Sequence, residues 1–108
     1  MSIKSSVSND GREIFIRVEG RFDFSLNKPF RDAYGMVDAQ KARYQIDLSR
    51  TDYIDSAALG MLLLLRERAG GDAAQIRISG CRDNVRQILQ VSRFHQLFDM
   101  EDTGSGAA

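Results

Sequence analysis

The sequence predicts an α/β fold, in which one domain holds a mixed sheet of four to five strands packed with three or more helices. The 108 residues suffice for one hydrophobic core but not for two. Segments with the two-residue period of a strand alternate with segments that have the period of a helix. The first two strands are joined by a short turn, whereas later strands are joined through helices and must therefore run parallel. The domain is expected to cover residues 1–100, followed by a flexible tail over 101–108.

The first two strands are predicted to form an antiparallel hairpin. In the second of them, EIFIRVE, the residues Ile14, Ile16 and Val18 alternate with polar residues, as in a strand with one buried face. The weaker strand IKSSV precedes it. Asp10 and Gly11 lie between the two strands, and glycine tolerates the positive φ of a tight turn.

The residues at their ends help to locate the first two predicted helices. Pro29 lies in the first turn of the first helix, where its missing N–H is harmless. The apolar stripe of that helix consists of Phe30, Ala33, Tyr34 and Val37. After the strand YQIDL, the second helix begins at Asp55 or Ser56 and runs through Ala69. Gly70 and Gly71 end it because glycine readily adopts a left-handed backbone.

The third helix follows the strand QIRIS and is expected to be capped by Asp83. Its apolar stripe consists of Val85, Ile88 and Leu89. Cys81, at the end of QIRIS, is expected to pack as a small hydrophobic residue. The short segment LFDM adds an edge strand.

The composition disfavours several classes of partner. Fifteen basic residues balance fifteen acidic ones, so no net charge attracts nucleic acid or an anionic membrane. The single cysteine forms no internal disulfide, the first residues lack a secretory apolar core, and residues 57–65 are too short to span a bilayer. We therefore expect a cytoplasmic protein with neither a nucleic-acid nor a membrane partner.

Ser56 is the residue on which a functional interpretation depends. At the start of a helix it lies near backbone N–H groups that have no helical acceptor, so a phosphate there would find favourable electrostatics. The alternative is that Asp55 or Ser56 only caps the helix. The helix is apolar nearly all round, which suggests that some of Ala58, Met61 and Leu65 face outward as a docking surface.

Other chemistries fit less well. Asp23, Asp52 and Asp55 follow strands and are expected to be neighbours, but three acids without a histidine are a weak metal motif. A serine hydrolase would need His95 as the base, and IDSAA lacks the glycines of a nucleophile elbow. A phosphoaspartate receiver domain does not begin with a hairpin. We expect neither an enzyme nor a bound cofactor.

The whole pattern resembles the STAS domain family of bacterial anti-sigma factor antagonists. IDLSRTDYIDSAALGMLLLLRERAGG is similar to the family's DLS…ID-S-S/T-G-L-G-x-L segment, in which the serine after the aspartate accepts a phosphate. The resemblance makes Ser56 the acceptor, and VEGRFDFS places Asp23 beside its loop. Ala57 replaces a second Ser or Thr, Ala58 replaces Gly, and Arg93 stands where glycine is usual, which puts the local cap after the third helix in doubt.

The resemblance implies a module whose binding is switched by phosphorylation. The unphosphorylated form would bind an anti-sigma factor and serine kinase with a histidine-kinase-like ATP fold, and a PP2C-type phosphatase would remove the phosphate. The residues expected to bind the partner are Asp23, Phe24, Asp52, Tyr53, Asp55, Ala57, Ala58, Leu59, Gly60 and Met61. A structural STAS subunit of a transporter is the main alternative, and a serine hydrolase is a more distant one.

Overall fold

The computed structural model describes residues 2–35 and 42–101, which form six strands and three α-helices. The strands are β1 Ser2–Val7, β2 Glu13–Phe22, β3 Arg43–Asp47, β4 Thr51–Ile54, β5 Gln75–Ser79 and β6 Asp99–Glu101. The helices are α1 Asn27–Tyr34, α2 Ser56–Arg68 and α3 Asp83–Val91. Short 3₁₀ turns cover residues 24–26, 71–73 and 94–96. Val37 of the expected first helix and residues 102–108 of the expected tail lie outside the described residues, while Glu101 ends β6.

The sheet is mixed, as predicted. Its strand order is β1-β2-β3-β5-β6, and β4 pairs with β2 beside this path. Strands β1 and β2 are antiparallel and every other pair is parallel. Strand β4 is additional to the four or five expected strands. Its buried residues, Thr51 and Ile54, are three positions apart because the register against β2 shifts between Gly20 and Arg21, so it shows no simple alternation.

The helices cover one face of this sheet. Inward-facing side chains of the strands alternate with outward-facing ones, and Ile14, Ile16 and Val18 of β2 are buried as predicted. They share one core cluster with Phe30 of α1 and with side chains of α2 and α3. Cys81 is buried behind β5, as expected. Among the described residues, no helix is long and apolar enough to cross a membrane.

The opposite face of the sheet is polar and carries ion pairs. Arg17 Nε lies 3.0 Å from Asp47 Oδ2, and Arg77 Nε lies 3.1 Å from Asp99 Oδ2. Burial by itself would raise the pKa of Asp47, but hydrogen bonds from Ser49 and Arg17 outweigh it and lower the pKa. The carboxylate of Asp47 therefore remains ionised on this face.

The helix ends settle three expectations. Asp55 caps α2, since its Oδ1 accepts a hydrogen bond from the Ala58 N–H at 3.0 Å. Gly70, with φ of 115°, follows the end of α2 as predicted. The expected cap of α3 is wrong. Asp83 is the first residue of that helix, where its charge is favourable at the positive helix end, and Arg82 takes the cap position without a side-chain hydrogen bond.

Arg93, which stands where the family that the chain resembles usually has glycine, lies just beyond the end of α3. Among the described residues, Arg93 is the sole non-glycine residue with positive φ, at 62°. The chain therefore keeps the left-handed turn that glycine would adopt there, at a steric penalty. In the stripe predicted for α3, Val85 and Leu89 are buried, whereas Ile88 is 36% exposed at its margin.

Candidate functional site

The candidate site lies where β2 and β4 end. Phe22 and Ile54 are paired in the parallel register, so Asp23 and Asp55 are the residues that directly follow two neighbouring strands. Asp52 lies within β4 and is exposed. Of the three aspartates expected to follow strands as neighbours, Asp23 and Asp55 do so, whereas Asp52 lies earlier, within β4. Carboxyl ends of parallel strands are where α/β folds gather their binding sites.

Asp23 has a local structural role. Its Oδ1 accepts hydrogen bonds from the backbone N–H of Ser25 at 3.0 Å and from the Ser25 hydroxyl at 2.6 Å. These bonds from Ser25, together with the nearby Arg21 guanidinium, hold the pKa of Asp23 below its ordinary value. They also fix the 3₁₀ turn that presents Phe24, whose side chain is 70% exposed.

Ser56 is the first residue of α2, and it is exposed. The backbone N–H groups of Ser56 and Ala57 occupy the first two helical positions, which have no acceptor within the helix. The Asp55 carboxylate already takes the Ala58 N–H. A phosphate on Ser56 would therefore lie at the positive end of α2 and beside the carboxylates of Asp55 and Asp23.

Arg21 and Tyr53 form an exposed pair at the same edge. They face each other in the β2–β4 register, and Arg21 Cζ lies 3.9 Å from the centroid of the Tyr53 ring. Arg21 Nε also lies 3.5 Å from Asp23 Oδ2. We define the acceptor edge as Asp23, Phe24, Tyr53, Asp55 and Ser56.

The outward-facing residues of α2 differ from those expected. Ala58, Met61 and Leu65 are at most 5% exposed, so the expectation that they face outward is wrong. They fall at i, i+3 and i+7, a stripe that packs against the sheet. Ala58 and Met61, both expected to bind the partner, therefore lie beneath the surface that a partner meets.

The exposed side of α2 is formed by a different set of residues. Leu63 is 39% exposed and Leu64 is 64% exposed. Gly60 lies on the same side, and a Cβ added there would meet nothing within 4 Å. We define the outer ridge of α2 as Ser56, Gly60, Leu63 and Leu64, which recur at helical spacing. Ala57 and Leu59 are half-buried beside it.

Sequence reasoning missed Arg21, Leu63 and Leu64. The signal for Arg21 was its spacing of two residues from Asp23 in the extended segment at the end of β2, which puts both side chains on the same side. For the two leucines the sequence held no such signal, because α2 is apolar nearly all round and its pattern does not indicate which side faces the sheet. Among the described residues, no group of three or more His, Cys, Asp or Glu side chains is placed to hold a metal ion.

Comparison with known sequences gives consistent matches. The family model described as "Mlab, STAS domain" matches residues 5–100. A STAS-domain containing protein of Pseudomonas aeruginosa (strain UCBPP-PA14) is 51% identical over 98 residues, which cover 91% of this chain and 97% of that protein. The putative anti-sigma factor antagonist BtrV of Bordetella bronchiseptica is 29% identical over 72 residues, which cover 67% of this chain and 62% of that protein.

Comparison with solved structures supports the same fold. The unphosphorylated form of the anti-sigma factor antagonist SpoIIAA superposes with a TM-score of 0.77. The superposition covers 98% of this chain and 93% of that one, at 16% sequence identity. At that identity the likeness concerns the fold, including the mixed sheet with its antiparallel first pair.

Proposed function

The chain belongs to the STAS domain family, and on that premise we propose that it is an anti-sigma factor antagonist whose binding is switched by phosphorylation of Ser56. The observation that carries the proposal is the position of Ser56. It is exposed at the start of α2, at the acceptor edge, and it opens the apolar outer ridge. One modification there would alter a charged edge and an apolar surface together.

The unphosphorylated surface is proposed to bind an anti-sigma factor. Relatives are named as anti-sigma factor antagonists, which supports a partner of this class. Following the family resemblance, the partner is also the serine kinase, with a histidine-kinase-like ATP fold, and a PP2C-type phosphatase reverses the modification. This chain is then their substrate, has no catalytic role of its own, and acts in the cytoplasm, where transcription is regulated.

The contact surface consists of exposed groups of two kinds. Phe24 supplies aromatic area at the acceptor edge, and Tyr53 adds the part of its side chain that Arg21 leaves exposed. Aromatic residues are enriched among the residues that dominate binding energy. Leu63 and Leu64 supply aliphatic area along the outer ridge. Asp52 and Asp55 add charge, and half-buried Leu59 adds apolar area. Ala57 and Gly60 are small, so they let a partner approach closely.

Phosphorylation would oppose this contact by charge. A phosphoserine carries about −1.5 to −2 charges at pH 7. The added charge would lie near the carboxylates of Asp23 and Asp55 and beside apolar groups that a partner must cover. Burying an unpaired charge is strongly unfavourable, so the modified edge rejects the partner without any refolding of the domain. The N–H groups at the start of α2 make the modified state tolerable within the chain.

Intact-mass analysis of the protein from its own cells tests the modification. We expect a fraction heavier by one phosphate in the wild type, and none in Ser56→Ala. Ser25→Ala is the matched control, because Ser25 is an exposed serine in the neighbouring turn at the same edge, and it should retain the phosphate.

Affinity capture from the same cells tests the switch. Ser56→Ala should retain the anti-sigma factor, and Ser56→Asp should lose it. If the wild type never carries phosphate and Ser56→Asp captures the same proteins as the wild type, the switch is refuted. Co-purification with transporter subunits instead would support the alternative of a structural STAS subunit.

A further inference from the structure

We propose that Arg21 is the residue that responds to the phosphate within this chain. In the unmodified protein its guanidinium lies over Tyr53 and beside Asp23, and after modification it moves to the phosphate on Ser56. The movement uncovers the Tyr53 ring and removes the positive charge next to Asp23. The inference rests on the proposed function, because it requires that Ser56 carries a phosphate.

The sheet register places Arg21 for this role. Strand β4 pairs with the last residues of β2, and the shift between Gly20 and Arg21 sets Arg21 opposite Tyr53. The next pair is Phe22 with Ile54, and Asp23 and Asp55 directly follow the two strands. Ser56 directly follows Asp55. The guanidinium, already 3.5 Å from Asp23, thus lies at the strand ends where the phosphate would be added.

The Arg21 side chain can leave its present contacts with Asp23 and Tyr53. Its side chain is 53% exposed, so it can change rotamer without disturbing the core. Asp23 does not depend on it, because two hydrogen bonds from Ser25, at 2.6 and 3.0 Å, hold the carboxylate. The Tyr53 ring remains on β4 whether or not it is covered.

A phosphate is a stronger partner for arginine than the groups Arg21 now contacts. It carries up to about twice the charge of a carboxylate, and the guanidinium fork matches two phosphate oxygens at once. Asp55 cannot neutralise the phosphate, since it is itself an acid and is engaged with the Ala58 N–H. Two other arginines near this end of the sheet have different contacts, with Arg82 Nε bonded to the Ser49 carbonyl and Arg86 to the Cys81 carbonyl.

The consequence is a change at three points of the partner surface. Ser56 gains the phosphate, Asp23 loses its neighbouring cation, and Tyr53 loses the cover on its ring. A partner that fits the unmodified edge therefore meets altered charge and altered shape over the width of both strands. Arg21 would limit the electrostatic penalty of the phosphate for this chain while increasing the change that the partner detects.

The test uses the full chain with phosphoserine incorporated at position 56 during synthesis. In ¹H–¹⁵N spectra, the Nε–Hε signal of Arg21 should shift on phosphorylation and become protected from exchange with water. That of Arg43 should not, because Arg43 lies at the opposite, amino end of β3 and serves as the matched control.

A ³¹P titration gives the second readout. The neighbouring carboxylates of Asp23 and Asp55 are expected to raise the second pKa of the phosphate in every variant, so comparing variants isolates Arg21. We expect Arg21→Gln to raise that pKa by roughly half a unit, the size of one exposed charge-assisted pair, and Arg43→Gln to leave it unchanged. Both substituted residues are exposed, and circular dichroism checks that both variants fold.

The outcomes separate this inference from the proposed function. An unchanged Arg21 signal together with equal phosphate pKa values in Arg21→Gln and the wild type overturns the role of Arg21. The phosphorylation switch then still stands if cells phosphorylate Ser56 and Ser56→Asp loses the anti-sigma factor. If Arg21 responds to the incorporated phosphate but cells never phosphorylate Ser56, the arginine geometry is right and the proposed function is wrong.

Discussion

The two faces of α2 are both apolar, yet only one of them is covered. The inner face consists of Ala58, Met61, Leu62 and Leu65, and none of these is more than 5% exposed. On the outer ridge, Leu64 is 64% exposed and Leu63 is 39% exposed. Packing in the domain accounts for the inner face. Since the fold does not require apolar residues on the outer ridge, that ridge is the better indicator of function.

The small residues of α2 also differ between its two faces. Ala58 is completely buried, so its methyl group is part of the packing between helix and sheet. Gly60 faces open space, where a Cβ would meet nothing within 4 Å. A glycine in a helix interior is unfavourable by about 1 kcal/mol relative to alanine. The glycine at position 60 is thus not explained by packing within the chain.

The largest expected effect comes from the inner face. Leu62→Ala should lower the free energy of unfolding by about 2–5 kcal/mol, because it leaves a cavity at a fully buried position. The chain has no tryptophan, so urea unfolding is best followed by circular dichroism. A loss below about 1 kcal/mol would contradict the assignment of this face to the core.

The next effect concerns the residue that positions the helix. Asp55→Ala should lower the free energy of unfolding by about 1 kcal/mol, since the Ala58 N–H loses its acceptor. Asp52→Ala is the matched control, because Asp52 is an equally acidic but exposed residue of β4, and it should change stability by less than about 0.5 kcal/mol. Equal losses of stability in both variants would show that the Asp55 cap does not stabilise the protein.

Gly60→Ala separates stability from binding. We expect it to raise the free energy of unfolding by about 0.8–1 kcal/mol, because alanine favours the helix and the space is open. Capture of the anti-sigma factor should nevertheless fall, since the methyl group blocks close approach to the helix backbone. Gln87→Ala, at an exposed position of α3, should leave capture unchanged. A more stable variant that binds like the wild type would remove Gly60 from the interface.

The smallest effect on stability is expected on the outer ridge. Leu64→Ala should change the free energy of unfolding by less than about 0.5 kcal/mol, as is usual for exposed positions. Affinity for the anti-sigma factor, measured by titration, should fall about tenfold, as for a contact that matters in an interface. Val91→Ala on α3 is the control, because Val91 is 76% exposed and apolar but lies on another helix. Equal losses of affinity in both variants would contradict a localised surface.

The difference between the faces also shows what could be predicted from the sequence. In β2 apolar residues alternate with polar ones, so the sequence correctly predicted which side of the strand is buried. In α3 a narrow stripe identified Val85 and Leu89 as buried. In α2 apolar residues occur all round, so the pattern located the helix and its ends but could not indicate which side faced the sheet. The orientation of α2 depends on how it leaves β4, which is a tertiary property.

The remaining misses have a similar cause. Strand β4 was not predicted because the register shift beside Gly20 and Arg21 breaks its alternation. The contact of Arg21 with Tyr53 follows from that register, and no local pattern reports it. By contrast, Ser56 could be singled out in advance because it begins a predicted helix and matches the acceptor serine of the family motif. Asp23 could be singled out because it directly follows the second strand, and strand ends meet at one edge in parallel sheets.

Strand β2 has a consequence for how fast the molecule can respond. It is held by β1 and β3 along most of its length and by β4 at its last three residues, so one continuous strand joins the whole sheet to the acceptor edge. Backbone amides in such a strand exchange with solvent only when the domain opens globally. A phosphate at this edge would therefore act on residues that directly follow a strand anchored across the sheet. The response is then limited by side-chain rotation, within nanoseconds, and by the rates at which the phosphate is added and removed.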